Sequence, residues 1–244
     1  MANLFKGIHY GLYTVVLMLK GIKLFFIRKF KGEIEADKYV AEVECRWSDY
    51  TINKALEMNV TVRGAENIPD EPCVFMGNHT SILDCPLLVV TAKRSVGFIA
   101  KKELMKVPVI GYWIKQSKCV PIDRENVREA IKVINQGVQN LKDGHSMAVF
   151  PEGTRSTDGK LGTFKKGSMK LATKAKVPIV PVAMDGAYRA FEIDRKFKSI
   201  DITVTFGEPI YTDNLTKEEE KGLNDRVRSV IADALGEKLS DSLI

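Results

Sequence analysis

The sequence predicts an α/β fold in which a mixed, largely parallel sheet is covered by helices, with a membrane-associated helical hairpin at the N-terminus. The first observation is a series of seven short apolar runs: VTVR (60–63), CVFMGN (73–78), VGFIAK (96–101), CVPIDR (119–124), MAVFPE (147–152), IVPVAM (179–184) and ITVTFG (202–207). The second is that helical patterns lie between these runs. Continuous apolar strands that alternate with helices are typical of sheets covered by helices. The third is a dense apolar N-terminus, which predicts the hairpin.

Two of the intervening helices carry clear end signals. The pattern over 126–142 begins with an Asn cap and has Glu129 three residues later. A second pattern covers 216–235, where Thr216 and Glu219 have the spacing of a capping box. Both patterns therefore predict helices with well-defined N-termini.

The N-terminal segment is densely apolar but interrupted by lysines. Its longest uncharged run, 7–19, contains 13 residues, fewer than the ~20 needed to span a bilayer. The apolar residues run nearly all round the predicted helix, which favours a helix lying in a membrane interface with its cations among anionic headgroups. A second helical pattern over 36–58 would pair with it as a hairpin. The alternative is a helix that packs on the protein's own core.

These patterns divide the chain into a membrane-binding hairpin over residues 1–58 and a second domain over residues 59–244.

The four cysteines, at positions 45, 73, 85 and 119, are widely spaced and form no CxxC pair, so neither a zinc site nor a disulfide framework is indicated. A reducing compartment fits this cysteine usage best. We therefore expect a protein that is monotopic at the cytoplasmic face of a membrane.

The net charge favours anionic partners. Thirty-seven Lys and Arg residues against 31 Asp and Glu residues leave a formal charge of +6. Nucleic acid, phosphorylated small molecules and acidic membrane surfaces are all attracted by such a charge. Nucleic-acid binding is disfavoured, because the sequence lacks the interleaved aromatic and basic residues of a base-stacking surface.

The stretch GNHTSILD, residues 77–84, follows the predicted strand over 73–78 and precedes a helical run. Ligands gather at such boundaries in α/β folds. His79 and Asp84 can converge there if the histidine lies in the loop and Asp84 in the first helical turn, with Ser81 as the N-cap. Asp84 would then hold one imidazole nitrogen while the other acts as a general base. Equally open is a turn histidine beside a carboxylate that complements the helix N-terminus.

A second motif, FPEGTRS at residues 150–156, ends another predicted strand. Its glycine lets backbone N–H groups approach a ligand, and Arg155 offers a planar, permanently charged fork suited to a phosphate. Two further cations, Lys165 and Lys166, precede a predicted helix start. The run 162–168 resembles a nucleotide-binding P-loop, but Ser168 occupies the lysine position, which disfavours nucleotide hydrolysis. The sequence also lacks GxSxG, HExxH and a GxGxxG with a following acidic residue.

Four of these blocks in this order, NHTSILD, CVPIDR, FPEGTR and VPIVPVA, resemble the glycerolipid acyltransferase family, specifically its 1-acyl-sn-glycerol-3-phosphate acyltransferases. The resemblance covers about residues 58–210, and the N-terminal apolar hairpin is similar to the membrane-binding portion of bacterial members. Lys118 stands where many members have glycine before the IDR strand. This departure bears on substrate detail rather than on the class of reaction.

The resemblance implies transfer of an acyl chain to the sn-2 hydroxyl of lysophosphatidic acid, which gives phosphatidic acid. The donor would be a thioester of coenzyme A or of acyl carrier protein, and no cofactor or metal is expected. His79 would be the base and Asp84 its orienting partner. The resemblance further implies that substrate is held by Glu152, Gly153, Thr154, Arg155, Arg124 and Lys101. Lys102 could take the place of Lys101 in this role.

Two other functions are compatible with the same residues. The acceptor could be a different lysophospholipid or glycerol 3-phosphate. The chain could also be a non-catalytic lipid-binding protein that retains the fold, although an intact His79 and Asp84 pair argues against it. The acyl chain length and the choice of donor are not encoded in any motif identified above.

Overall fold

A computed structural model of the protein describes residues 2–123, 127–156 and 158–236. It contains all seven predicted strands: β1 (Asn59–Arg63), β2 (Val74–Gly77), β3 (Gly97–Lys101), β4 (Val120–Ile122), β5 (Met147–Val149), β6 (Ile179–Asp185) and β7 (Asp201–Phe206). They form one sheet in the order β1-β7-β6-β2-β5-β3-β4. Every neighbouring pair is parallel except β6 and β7. The predicted mixed, largely parallel sheet is therefore confirmed.

The α-helices are α1 (Ala2–Lys31), α2 (Glu33–Asp49), α3 (Asp84–Ala92), α4 (Ile110–Gln116), α5 (Val127–Lys142), α6 (Lys170–Ala175) and α7 (Lys217–Leu235). The capping box predicted for α7 is present, because Glu219 N donates to Thr216 Oγ1 at 3.2 Å and Thr216 N donates to Glu219 Oε2 at 2.8 Å. The Asn cap predicted for α5 is residue 126, which lies outside the described residues.

The sheet has a hydrophobic core on each face, as the alternation of side chains along a strand requires. Within β2, Phe75 belongs to one core and Val74 and Met76 belong to the other. The first core includes Leu87 of α3, and the second includes Leu141 of α5 together with residues of α6 and α7. Helices therefore cover both faces and leave the ends of the strands for a site.

The predicted N-terminal hairpin is confirmed as a pair of helices. Gly32, with φ +86°, separates α1 from α2. The second helix ends at Asp49 and continues as a π-helix over Tyr50–Ala55, so the α-helical part is shorter than the predicted 36–58. Tyr13 of α1 stacks on Tyr50 with ring centroids 3.9 Å apart. The division of domains at residue 58 stays a prediction, and the first strand begins at Asn59.

A third, smaller core joins the hairpin to the rest of the molecule. It contains Leu17 and Leu24 of α1, residues of α2, and Trp113 of α4. Trp113 Nε1 donates to the carbonyl oxygen of Leu17 at 3.2 Å. One side of α1 is therefore buried by protein.

The other side of α1 is apolar and exposed. Its exposed large side chains are Leu12, Val15, Val16, Met18, Leu19, Ile22, Phe25, Phe26 and Phe30. By length and composition, the 22 residues Tyr10–Lys31 are sufficient to cross a membrane. An apolar helix face of this size that protein does not cover is typical of contact with lipid.

A buried carboxylate, that of Glu44 on α2, also ties the hairpin to the sheet domain. Its oxygens accept from Ser95 Oγ and from the backbone N–H of Val96, the residue before β3. Burial raises the pKa of Glu44 to about 7 in spite of these hydrogen bonds. The ionisation state of Glu44 near neutral pH therefore affects the contact between α2 and the segment that precedes β3.

Candidate active site

The site is built on three neighbouring strands, β6, β2 and β5, which lie side by side in the sheet. Because both outer strands pair with β2 in the parallel sense, their carboxyl ends share one edge. The loop after β2 carries His79, the loop after β5 carries the FPEGTRS turn, and the segment after β6 carries Glu192. This is the edge where ligands bind in open α/β sheets.

His79 and Asp84 form a hydrogen-bonded pair, with His79 Nδ1 and Asp84 Oδ2 2.8 Å apart. The same carboxylate oxygen accepts from the backbone N–H groups of Thr80 at 2.7 Å and Ser81 at 2.9 Å. An oxygen that already receives two donors acts as an acceptor, so Nδ1 carries the hydrogen. The lone pair of Nε2 is then available to accept a proton.

The pair is sheltered but reachable. The side chain of Asp84 is 0% exposed and that of His79 is 15% exposed. A carboxylate held in such a place keeps its partner imidazole in one tautomer and one orientation. The geometry therefore suits a general base.

The local structure of this loop differs from the expectation in one respect. Ser81 is not the N-cap of α3; the helix begins at Asp84, and its cap is Leu83. The hydroxyl of Ser81 is used elsewhere, because it accepts from Leu83 N at 3.1 Å and donates to Glu192 Oε2 at 2.9 Å. Asp84 is the first residue of α3, and its carboxylate lies close enough to the preceding turn to accept from the backbone N–H groups of Thr80 and Ser81.

The FPEGTRS turn contacts His79 in three ways. The ring of Phe150 stacks on the imidazole with centroids 4.2 Å apart and planes 10° from parallel. The backbone N–H of His79 donates to Glu152 Oε1 at 2.7 Å, and the N–H of Ser156 donates to the carbonyl oxygen of His79 at 2.8 Å. The two sequence motifs therefore form one structural unit.

The carboxylate of Glu152 is enclosed within the turn. Its second oxygen accepts from the N–H of Gly162 at 2.9 Å. A Cβ atom at Gly162 would lie 2.6 Å from that oxygen, so only glycine fits there without displacing Glu152. Burial raises the pKa of Glu152, while the two backbone donors oppose the rise.

Arg155 is fixed by a residue that the sequence motifs do not include. Its Nη1 donates to Glu192 Oε1 at 3.0 Å, and the same oxygen accepts from the N–H of Ile82 at 2.8 Å. The side chain of Glu192 is only 3% exposed, whereas that of Arg155 is 36% exposed. Glu192 thus connects the loop that carries His79 to the turn that carries Arg155. Part of the guanidinium remains open to a ligand.

The other predicted substrate residues are placed unequally. Gly153, with φ +73°, and Thr154 lie in the turn beside Arg155. Lys101 ends β3, which β5 separates from β2, and its ammonium lies 3.8 Å from Glu103. Arg124 lies outside the described residues. A cation closer to the turn is Lys165, because a Cβ atom at Gly153 would lie 2.6 Å from its Nζ.

The thiol next to Asp84 is unsuited to nucleophilic chemistry. Burial raises the pKa of Cys85 well above its ordinary value, and the neighbouring Asp84 carboxylate raises it further. A protonated thiol is a poor nucleophile. Among the described residues at this edge, the imidazole of His79 has the geometry that suits proton transfer better than the thiol of Cys85.

Several known proteins are similar to this chain in sequence. The family model described as "Acyltransferase" matches residues 59–185. A chloroplastic 1-acyl-sn-glycerol-3-phosphate acyltransferase of Brassica napus is 33% identical over 82% of this chain and 58% of its own length. The human 1-acyl-sn-glycerol-3-phosphate acyltransferase alpha is 37% identical over 70% of this chain and 62% of its own length. The chain thus spans about three-fifths of these curated relatives.

A solved structure covers more of the molecule. The crystal structure of the 1-acyl-sn-glycerophosphate acyltransferase from Thermotoga maritima matches with a TM-score of 0.79 and 30% sequence identity, over 96% of each chain. The likeness therefore includes the N-terminal hairpin as well as the sheet. The chain belongs to the acyltransferase family that includes the 1-acyl-sn-glycerol-3-phosphate acyltransferases.

Proposed function

We propose that this protein is a membrane-bound 1-acyl-sn-glycerol-3-phosphate acyltransferase. It transfers an acyl chain from a thioester to the sn-2 hydroxyl of lysophosphatidic acid and forms phosphatidic acid for phospholipid synthesis. The observation that carries this proposal is the His79–Asp84 pair, stacked against the turn that bears Arg155. Family membership supports the class of reaction.

In the proposed reaction, Nε2 of His79 takes the proton of the acceptor hydroxyl as the hydroxyl oxygen attacks the thioester carbonyl carbon. The carbonyl π electrons move to its oxygen and give a tetrahedral oxyanion. When the oxyanion collapses, the carbon–sulfur bond breaks and the thiolate takes the proton from the imidazolium. Asp84 holds the imidazole throughout and stabilises its charged form. The protein itself is not acylated.

The turn after β5 would hold the glycerol phosphate. Arg155 supplies a fixed charge, Gly153 and Thr154 bring backbone and hydroxyl groups beside it, and Lys165 adds a cation. Glu152 has both carboxylate oxygens engaged by backbone N–H groups, which supports a role in shaping this turn rather than in contacting the phosphate.

The exposed apolar face of α1 would lie in the bilayer interface, where lysophosphatidic acid resides. The cations Arg28, Lys29 and Lys31 at the end of α1 match anionic headgroups of a cytoplasmic leaflet. We therefore propose a monotopic protein at the cytoplasmic face. The acyl donor is a thioester of coenzyme A or of acyl carrier protein, and the chemistry above requires no cofactor.

The test is thiol release from a long-chain acyl-CoA in detergent micelles, with and without lysophosphatidic acid, together with identification of the lipid product. Acceptor-dependent release with phosphatidic acid as the product is expected. Equal release without acceptor would indicate a thioesterase. Product only with another lysophospholipid or with glycerol 3-phosphate would reassign the acceptor.

A preparation that is inert with acyl-CoA is tested next with acyl carrier protein thioesters. Turnover with these alone would assign the donor. Inactivity with every donor and acceptor would contradict catalysis and leave a lipid-binding protein.

A further inference from the structure

We propose that the sheet domain contacts the membrane through a surface of its own, beside α1, made of Leu104, Val107, Ile110 and Tyr112. This 104–112 surface would bind the anionic headgroup region of a phospholipid bilayer. The inference rests on the proposed function and deepens it, because it gives the site that carries His79 its own contact with the lipid phase.

The four side chains of the 104–112 surface are exposed although they are large and apolar. Their exposed fractions are 42% for Leu104, 39% for Val107, 44% for Ile110 and 39% for Tyr112. The first three recur at every third position. Single exposed apolar residues are common, but a cluster in one short segment indicates an interaction surface.

The backbone holds this segment in a strained shape. Val109, a β-branched residue, has φ +61°, a region that such residues rarely adopt. Gly111 lies so close to the preceding turn that a Cβ atom would be 2.5 Å from the carbonyl oxygen of Met105. Unfavourable backbone conformations persist where the surrounding structure enforces them, often at binding sites. Here the strain accompanies the outward placement of Val107 and Ile110.

The surface is continuous with the apolar face of α1. Tyr112 Oη donates to the carbonyl oxygen of Gly21 at 3.4 Å, so this tyrosine lies against the side of α1. Met18 and Phe25 are three and four positions from Gly21 and therefore flank the same side of the helix. They are 56% and 60% exposed. Lipid that covers α1 would consequently extend onto the 104–112 surface.

The charge around the surface fits an anionic bilayer rather than a second copy of this basic chain. The stretch 101–115 holds four lysines and one glutamate, Glu103. Lys106 and Lys115 are both exposed. Each lysine near an anionic membrane adds to the attraction, whereas two copies of this stretch would repel each other.

The position of the 104–112 surface relative to the sheet explains how a membrane contact there would serve the site. The segment follows β3, which pairs with β5 in the parallel sense, as β5 does with β2. It therefore leaves the sheet at the same edge as the loop of His79. A bilayer that touches the 104–112 surface lies beside the site, where an amphiphilic acceptor has to arrive.

The test measures partition of the full-length protein onto vesicles of phosphatidylcholine mixed with phosphatidylglycerol. The double variant Val107→Ser/Ile110→Ser is compared with Ile131→Ser. Ile131 is 65% exposed and lies on α5, which packs on the second core of the sheet and not on the core that joins the hairpin to α4. Loss of two inserted aliphatic side chains is expected to weaken partition by roughly tenfold or more. Ile131→Ser is expected to partition like the native protein.

A second pair of measurements tests the charge and the fold. Lys106→Gln/Lys115→Gln is expected to reduce the preference for mixed vesicles over pure phosphatidylcholine vesicles. Circular dichroism and the thermal midpoint of each variant establish that it is folded. Native partition of a folded Val107→Ser/Ile110→Ser variant would overturn the proposal. So would a dimer of the native protein that this variant abolishes without any change in partition.

The proposed function is tested separately in mixed micelles, where substrate and protein share one aggregate. The Val107→Ser/Ile110→Ser variant is expected to keep native acyl transfer there and to lose it selectively on vesicles. A native protein that fails to transfer acyl groups in micelles would contradict the enzymatic function. The vesicle partition experiment would still decide the membrane contact.

Discussion

Replacement of Glu192 tests whether the two motifs of the site act as one unit. Glu192→Gln keeps an oxygen that can accept from Ile82 N and an amide that can bond to the hydroxyl of Ser81, but it removes the charge that faces Arg155. Hydrogen bonds to charged groups contribute about 1.5–3 kcal/mol, against about 0.5–1.5 kcal/mol for neutral ones. The Arg155 contact should therefore weaken by roughly 1–1.5 kcal/mol.

That loss corresponds to about a tenfold rise in KM for the phosphorylated acceptor, because a less firmly held Arg155 binds the phosphate less well. The KM for the acyl thioester should not change. Glu192→Ala removes all three hydrogen bonds and should also lower the free energy of unfolding by a few kcal/mol.

The assay is steady-state acyl transfer with each substrate varied in turn, for the native protein, Glu192→Gln, Arg155→Gln and the double variant. If Glu192 acts through Arg155, the two effects on acceptor KM will be less than additive. A native acceptor KM in Glu192→Gln, or a change confined to the thioester KM, would show that Glu192 does not act through Arg155.

Three further predictions concern residues around the site and the hairpin. Asp84→Asn should lower kcat by roughly 10³-fold in steady-state assays, because an amide does not hold the imidazole tautomer that leaves Nε2 basic. Gly162→Ala should destabilise the protein by about 1–3 kcal/mol in urea unfolding, since its Cβ would lie 2.6 Å from a buried carboxylate, whereas Gly167→Ala, with no atom within 4 Å, should not. The pKa of Glu44 is raised from 4.5 to about 7, so its contribution to stability is complete below pH 4.5 and is lost as the pH rises through 7. Glu44→Gln should remove roughly 3 kcal/mol of that pH dependence, measured as the free energy of unfolding at pH 4.5 and pH 8; a native pH dependence in this variant would contradict the assignment.

Much of the fold could be predicted because its signals are local. The central strands are short apolar runs, and β7 alternates apolar residues with threonine. The Thr216 and Glu219 pair marks the start of α7 within four residues of sequence. The end of α2 could not be predicted as well, because the π-helix that follows it keeps the same apolar spacing. The prediction of Ser81 as the N-cap of α3 was wrong for a different reason. Its hydroxyl donates a hydrogen bond to Glu192, which is 111 residues away in the sequence.

The same distinction applies to the site. His79, Asp84 and the FPEGTRS turn stand in short motifs, and the structure brings them together. Glu192 lies in the stretch AFEIDRK, where nothing in spacing or composition distinguishes it from a surface carboxylate. Its burial follows from the order of β6, β2 and β5 in the sheet, which is a property of the tertiary structure. The roles of the individual site residues stay predictions until variants are measured.

The most direct test of His79 as the general base is acceptor-dependent transfer from acyl-CoA to lysophosphatidic acid. The His79→Ala variant is compared with the native protein at the same amount of folded, micelle-bound material. A general base contributes about 10²–10⁴-fold to rate. We expect kcat to fall by that amount while the thioester still binds. Transfer within a few-fold of the native rate would contradict the assignment of His79 as the base.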